Sequence, residues 1–272
     1  VDRAQLTSGI SLNSVAFTGA ALIGPAIAGL LIPVIGIGGV VVFNAVSCVA
    51  TLVALAKFRD LPASRRRSGP QENVLQAIMG GIRHVRASRT LTGLIAVSTV
   101  SGLLARSYGP MLAVFARDVF HVGSGAFGLL VSAGGLGTLI GAFGLAGRAD
   151  VTRKGRWVMA SVLLQGAMLL LFAVSGSIAV ALPALLLIGV ANAISGALIS
   201  TLIQLSVPNE LRGRVMSFYL LTVVGVPSIG SLLLGAVATA TDVRLAVGGG
   251  AVLVLLVVAV MFARNEELRG AT

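Results

Sequence analysis

Val207-Pro208-Asn209-Glu210-Leu211-Arg212-Gly213-Arg214-Val215-Met216-Ser217 decides the fold, together with the uncharged run that continues it from Val215 to Ala240. A short polar loop with two arginines and a glutamate opens into an apolar stretch long enough to cross a bilayer. The chain repeats this design. A shift of 206 positions lays Val1, Ser11, Gly19, Ile23, Gly24 and Gly29 on Val207, Ser217, Gly225, Ile229, Gly230 and Gly235. Three glycines spaced by five, each matched by a glycine, define an internal repeat.

Composition points the same way. Charged residues make up 11% of the 272 and hydrophobic ones 56%, too few charges to solvate the surface of a water-soluble domain of this size. Mean hydropathy is +1.01. The chain is expected to be an integral membrane protein, with the lipid bilayer as its first partner. The net charge of +11 does not indicate nucleic acid, because the arginines lie between apolar runs without interleaved aromatics. Cys48 is the single cysteine and lies in an apolar run, where it reads as a small buried hydrophobe, so neither a disulfide framework nor a cysteine metal site is expected.

Eight apolar runs follow one another: Ile10–Ile32, Gly36–Ala56, Leu91–Ala113, Ala126–Ala146, Trp157–Val174, Ile178–Leu205, Val215–Ala240 and Leu245–Ala263. Their length and lack of alternation predict transmembrane helices rather than barrel strands. The fold class is therefore all-α, a polytopic membrane bundle. Of the 20 basic residues, all but Arg106, Arg117 and Arg244 fall on one face, which the positive-inside bias places in the cytoplasm with both ends of the chain.

The repeat also sets the domain plan. Residues 1–56 correspond to the last two helices of one six-helix half. Residues 57–90 form a basic linking loop, and residues 91–264 form a second, complete half followed by a 265–272 tail. Four helices are then expected before Val1, in a twelve-helix whole of which this chain is a fragment. Within the loop, Val74, Leu75, Ile78, Met79, Ile82 and Val85 recur at helical spacing, an amphipathic helix suited to the membrane interface.

Arg106 is the charge within a predicted span. It lies seven residues before Ala113, roughly 10 Å from the outer helix end. At that depth it is a candidate for a substrate cavity, with Tyr108 and Pro110 marking an irregular helix around it. The alternative is an arginine that snorkels to the outer interface along its own stem. Asn13, Gln165, Asn192 and Ser195 are further candidates for the cavity wall, although each also suits hydrogen bonding between helices. The nine acidic residues fall in loops, near span ends or in terminal segments. That distribution gives no intramembrane metal site, and no enzyme activity, metal or cofactor is expected.

The glycines of the repeat remove side chains where helices approach or bend, and Pro25 and Pro227 remove backbone donors. Gly19, Gly24, Pro25 and Gly29, with Gly225, Pro227, Gly230 and Gly235, are read as paired gating elements. The glycines of the helix Ala126–Ala146 read as close packing alone.

Two six-helix halves joined by a long basic loop resemble the major facilitator superfamily. Gly24-Pro25-Ala26-Ile27-Ala28-Gly29 resembles the Gly-Pro-x-x-Gly-Gly motif of its drug exporters, with Ala28 replacing one glycine. Gly147 to Arg156 is similar to the superfamily's loop between helices eight and nine, with two extra residues between Asp150 and Arg153. Pro208 to Ser217 is similar to the loop before helix eleven in the bacterial enterobactin-exporter and macrolide-efflux subgroup.

The resemblance implies secondary active transport by alternating access, exporting a small amphipathic molecule, drug-like or siderophore-like, from the inner membrane of a bacterial cell. It implies a monomer with protons as the coupling ion, their carrier lying in the four helices expected before Val1. It also implies a cytoplasmic latch from Asp150, Arg153, Gly155 and Arg156, with Glu210, Arg212 and Arg214. An importer on the same fold, or a non-transporting remnant, is the alternative.

Overall fold

The computed structural model describes residues 35, 38–39, 41–53, 83, 85–146 and 153–265. The described residues form helices and the turns between them. They are α1 (Val41–Val53), α2 (Arg89–Val100), α3 (Met111–Val114), α4 (Ser124–Ala146), α5 (Lys154–Val174), α6 (Ile178–Ser206), α7 (Asn209–Leu220), α8 (Val226–Ala240) and α9 (Val243–Arg264). Three π turns interrupt or extend them, at Ser101–Ala105, Phe115–Val119 and Leu221–Gly225. Five continuous helical segments among these are long and apolar enough to cross a membrane. An all-α bundle suits a bilayer, since helices satisfy their own backbone hydrogen bonds where no water can.

Several expectations change. The run Leu91–Ala113 is not one span: it breaks at Arg106–Pro110, and its second part continues to Val119. Asn209–Arg214, read as loop before the run from Val215, is helical, because α7 begins at Asn209 and carries the polar sequence on a helix. Polar residues cap and extend membrane helices into the interface, so hydropathy marks the end of the apolar core rather than of the helix. Cys48 is exposed, as is every residue of α1, a surface suited to lipid or to a neighbouring helix. The first run, Ile10–Ile32, and most of the amphipathic segment lie outside the described residues. Of that segment, Val85 is buried in the core.

Local signals explain the helix starts. Ser88 accepts from the N–H of Leu91 at α2, Ser177 from Ala179 at α6, and Asp242 from Arg244 at α9. Each satisfies a donor that the first helical turn leaves orphaned. Close helix approach comes from glycine. A Cβ on Gly137 would run into the Leu186 carbonyl, one on Gly141 would lie 2.6 Å from the Val190 carbonyl, and one on Gly189 would strike Gly134. The α4–α6 pair therefore packs backbone to backbone, the expected role for these α4 glycines.

The core has two layers. One gathers Val85, Leu91, Leu94, Val158, Ile203 and Val215, next to the starts of α2, α5 and α7, where the arginines cluster. The other gathers Phe115, Leu130, Phe172, Leu185 and Val247 near the opposite ends. Arg117 and the Thr241–Asp242 turn line one depression, so the segments carrying Arg117 and Arg244 meet at a common end. This agrees with successive spans crossing in alternate directions.

Phe172 anchors the second layer. It is fully buried, its ring centroid 4.5 Å from that of Phe115, 6.2 Å from Phe120 and 6.3 Å from Tyr108. Phe172→Ala should cost about 3–5 kcal/mol of stability in a detergent-solubilised unfolding measurement. Phe143→Ala, at a side chain 73% exposed, should change it by less than about 0.5 kcal/mol.

Candidate functional site

The site begins where α2 fails. Pro110 has no N–H to give back toward Arg106, and its ring disfavours helical geometry in Gly109 before it. The helix loosens first into the π turn Ser101–Ala105, closed by the Arg106 N–H donating to the Ser101 carbonyl at 2.9 Å. Four turn residues follow, and the chain regains helicity at Met111, whose N–H donates to Tyr108. Arg106 and Tyr108 thus project from a break, as the irregular helix expected around them requires.

The facing segment is interrupted as well. Pro227 leaves the Val223 carbonyl without its usual donor, and the π turn Leu221–Gly225 absorbs the defect, with the Val226 N–H donating to Leu221. The two interrupted segments cross closely. A Cβ on Gly102 would lie 2.7 Å from the Thr222 carbonyl, and one on Gly230 would strike the Leu103 carbonyl and lie 2.9 Å from Ser107 Cβ. Beside the crossing, the buried Ser98 and Thr222 hydroxyls are 2.6 Å apart. Thr222 donates its proton to the Tyr219 carbonyl, so Ser98 is the donor between them.

The repeat glycines therefore differ in what surrounds them. Gly230 sits at a backbone contact, Gly225 faces open space, and Gly235 has only Met111 Cε at 3.8 Å. Gly19, Gly24, Pro25 and Gly29 lie outside the described residues.

Between the break and α4–α6 lies a cavity of about 360 Å³. Arg106, Tyr108, Gln165 and Asn192 all line it, although they come from three different segments, and so does Pro227. Leu112, Leu130 and Ile188 supply apolar wall. Gln165 is buried and accepts from the Ser101 hydroxyl at 3.0 Å, tying α5 to the first π turn. The Asn192 Oδ1 is buried and makes no hydrogen bond. Ser195 is not on the wall: it donates to the Asn192 carbonyl within α6. Asn13 lies outside the described residues. Thr138, which sequence reasoning does not single out, lines the cavity while donating to Gly134. Its position one helical turn after Gly134 is the available signal.

At the basic end, Arg153 stands at the start of α5 with φ of 58°, Gly155 is buried, and Arg156 and Arg212 are exposed. Arg214 is half-buried. Asp150 lies outside the described residues, and of Glu210 only the backbone is described. An ion pair does form elsewhere, between the exposed Arg117 and Asp118, with Arg117 Nη2 2.8 Å from Asp118 Oδ2.

A family model described as transmembrane secretion effector, of the major facilitator type, matches residues 1–269. The chain belongs to that family. It is thus a multi-pass membrane protein of a transporter family rather than an enzyme. Among similar proteins, the enterobactin exporter of Shigella boydii serotype 18 is 28% identical over 240 residues, covering 86% of this chain and 55% of that protein. The enterobactin exporter of Escherichia coli O1:K1 is 28% identical over 219 residues, 79% of this chain and 50% of its own. That of Shigella dysenteriae serotype 1 is 29% identical over 216 residues, 78% and 50%. The chain spans about half the length of the curated relatives it matches.

The secretion-effector fold places Gly230 where a methyl group has no room. Gly230→Ala should lower stability by about 1–3 kcal/mol, while Gly225→Ala should stay within about 0.5 kcal/mol. Thermal unfolding of the two purified variants checks the difference.

Proposed function

We propose that this chain forms the C-terminal half, and the two helices before it, of a secondary active exporter that moves a small amphipathic molecule out of a bacterial cell. The observation that carries the reading is the cavity. Polar side chains from three separate segments converge at a helix break inside an apolar bundle, the arrangement by which membrane transporters confine a binding site to irregular backbone. Kinship with enterobactin exporters favours outward movement and a siderophore-like or drug-like cargo.

Transport proceeds by alternating access. The interrupted segment α7–α8 flexes against the broken α2–α3, and the segment around Gly19–Gly29 does the same in the repeat-related half. A twelve-helix molecule arranged as two sixes and working as a monomer completes the picture, with residues 57–90 linking the halves. The cytoplasmic latch of Asp150, Arg153, Gly155, Arg156, Glu210, Arg212 and Arg214 biases the equilibrium between states. Exposed ion pairs, worth roughly 0–1 kcal/mol each, suit that role because they tip a balance without freezing it. Protons drive the cycle. The described spans carry no carboxylate at mid-depth, so the proton carrier is to be sought outside them.

Cells producing the protein at its natural length should accumulate less of an amphipathic dye than control cells, and a protonophore should abolish the difference. Equal accumulation across a broad panel of dyes and drugs would remove the export reading. Orientation is testable separately. With Cys48 replaced by serine, a cysteine at Arg212 should escape a membrane-impermeant maleimide in intact cells, and one at Asp118 should be labelled. The reverse pattern would invert the topology.

A further inference from the structure

A cation is retained inside a membrane domain only where something hydrates or neutralises it. Arg106 meets that cost at the edge of the cavity, half-buried, on a turn that frees its side chain from a helical stack. The other polar side chains on the wall, Tyr108, Thr138, Gln165 and Asn192, are all neutral. The described carboxylates nearest in sequence or fold are engaged elsewhere: Asp118 with Arg117, and Asp242 at the cap of α9. The cavity thus has a guanidinium on its wall and, among the described residues, no carboxylate lining it.

A second observation comes from α6. The Asn192 Oδ1 is buried on the same wall and accepts from nothing, although a buried acceptor without a partner is costly. One ligand chemistry answers both demands. An acidic group pairs with Arg106, a nearby hydroxyl or N–H donates to Asn192, and an apolar or aromatic frame lies against Leu130 and Ile188.

We propose that Arg106 selects the sign of the cargo's charge, so that the cavity takes acid-bearing amphiphiles with an adjacent hydrogen-bond donor and rejects cations. This rests on reading the cavity as the transport site. A cationic amphiphile meets repulsion from Arg106 and leaves the arginine without a counter-charge, which excludes it twice.

Binding measured without transport tests the proposal. Fluorescence polarisation of the purified full-length protein should show carboxyfluorescein, anionic and phenolic, bound at least about tenfold more tightly than the similarly sized cationic rhodamine 123. Arg106→Gln should erase that preference and Arg106→Lys should keep part of it. Asn192→Asp puts a counter-charge and a second acceptor into the wall, and should weaken carboxyfluorescein binding alone. Rhodamine bound as tightly as carboxyfluorescein would overturn the proposal. So would an unchanged preference in folded Arg106→Gln or, should that variant not fold, in Asn192→Asp. Displacement of carboxyfluorescein by millimolar chloride would show that Arg106 holds an adventitious ion only, and would overturn it too. Dye preference without efflux from cells would instead remove the transport reading, and efflux without preference would remove this inference alone.

Discussion

The contact on which the candidate site depends is the crossing at Gly102 and Gly230, where two interrupted helices touch through their backbones. A helix broken in lipid exposes carbonyls and N–H groups that the hydrocarbon cannot satisfy, at several kcal/mol each. Here the two interrupted segments lie against each other, Gly102 on the Thr222 carbonyl and Gly230 on the Leu103 carbonyl. The π turns at Ser101–Ala105 and Leu221–Gly225 lie just before Pro110 and Pro227, closed by the Arg106 and Val226 N–H groups donating to Ser101 and Leu221. The Ser98–Thr222 bond then fixes the two segments side by side. Only glycine at both contact points permits an approach this close.

From that crossing the rest follows. Because helicity stops at Arg106, the turn Arg106–Pro110 leaves a cavity between itself and the α4–α6 pair. The α4–α6 wall is rigid for its own reason, being packed backbone to backbone through Gly137, Gly141 and Gly189. An interrupted element therefore faces a continuous, closely packed pair. The aromatic group of Phe115, Phe120 and Phe172 packs beside Tyr108, and the Ser101–Gln165 bond secures the break to α5. Buried polar groups gather around the break, as Ser98, Ser101, Ser107 and Thr222 do, and occur singly on the regular helices, as Ser161 and Ser195 do.

Much of this was legible in the residues, within limits set by physics. Hydropathy locates α6 and α9 to within a residue or two, because an apolar core ends abruptly where lipid ends. It misses the α2 break, since Ser107, Tyr108 and Gly109 are too short a polar interval to lower the average of a span. It also reads Asn209–Arg214 as loop, although Glu210-Leu211-Arg212 has good helix propensity, because charge marks the interface and not the helix end. The cavity candidates Arg106, Tyr108, Gln165 and Asn192 stand out as polar residues in apolar runs. Thr138 does not, since a threonine can satisfy its hydroxyl on its own helix. Nor can sequence separate Gly230 from Gly225. The same residue in the same repeat packs in one case and faces open space in the other, and only the neighbouring helix decides which.

The central claim is that the break at Arg106–Pro110 opens a polar cavity whose far wall includes Asn192. In a background with Cys48 replaced by serine, the reactivity of a single cysteine toward a small water-soluble methanethiosulfonate tests it most directly. A cysteine at Asn192 should react readily, and prior addition of carboxyfluorescein should slow it. A cysteine at Leu198, 4% exposed on the same helix, should stay inert. An unreactive Asn192 cysteine, or equal reactivity at the two positions, would contradict the account.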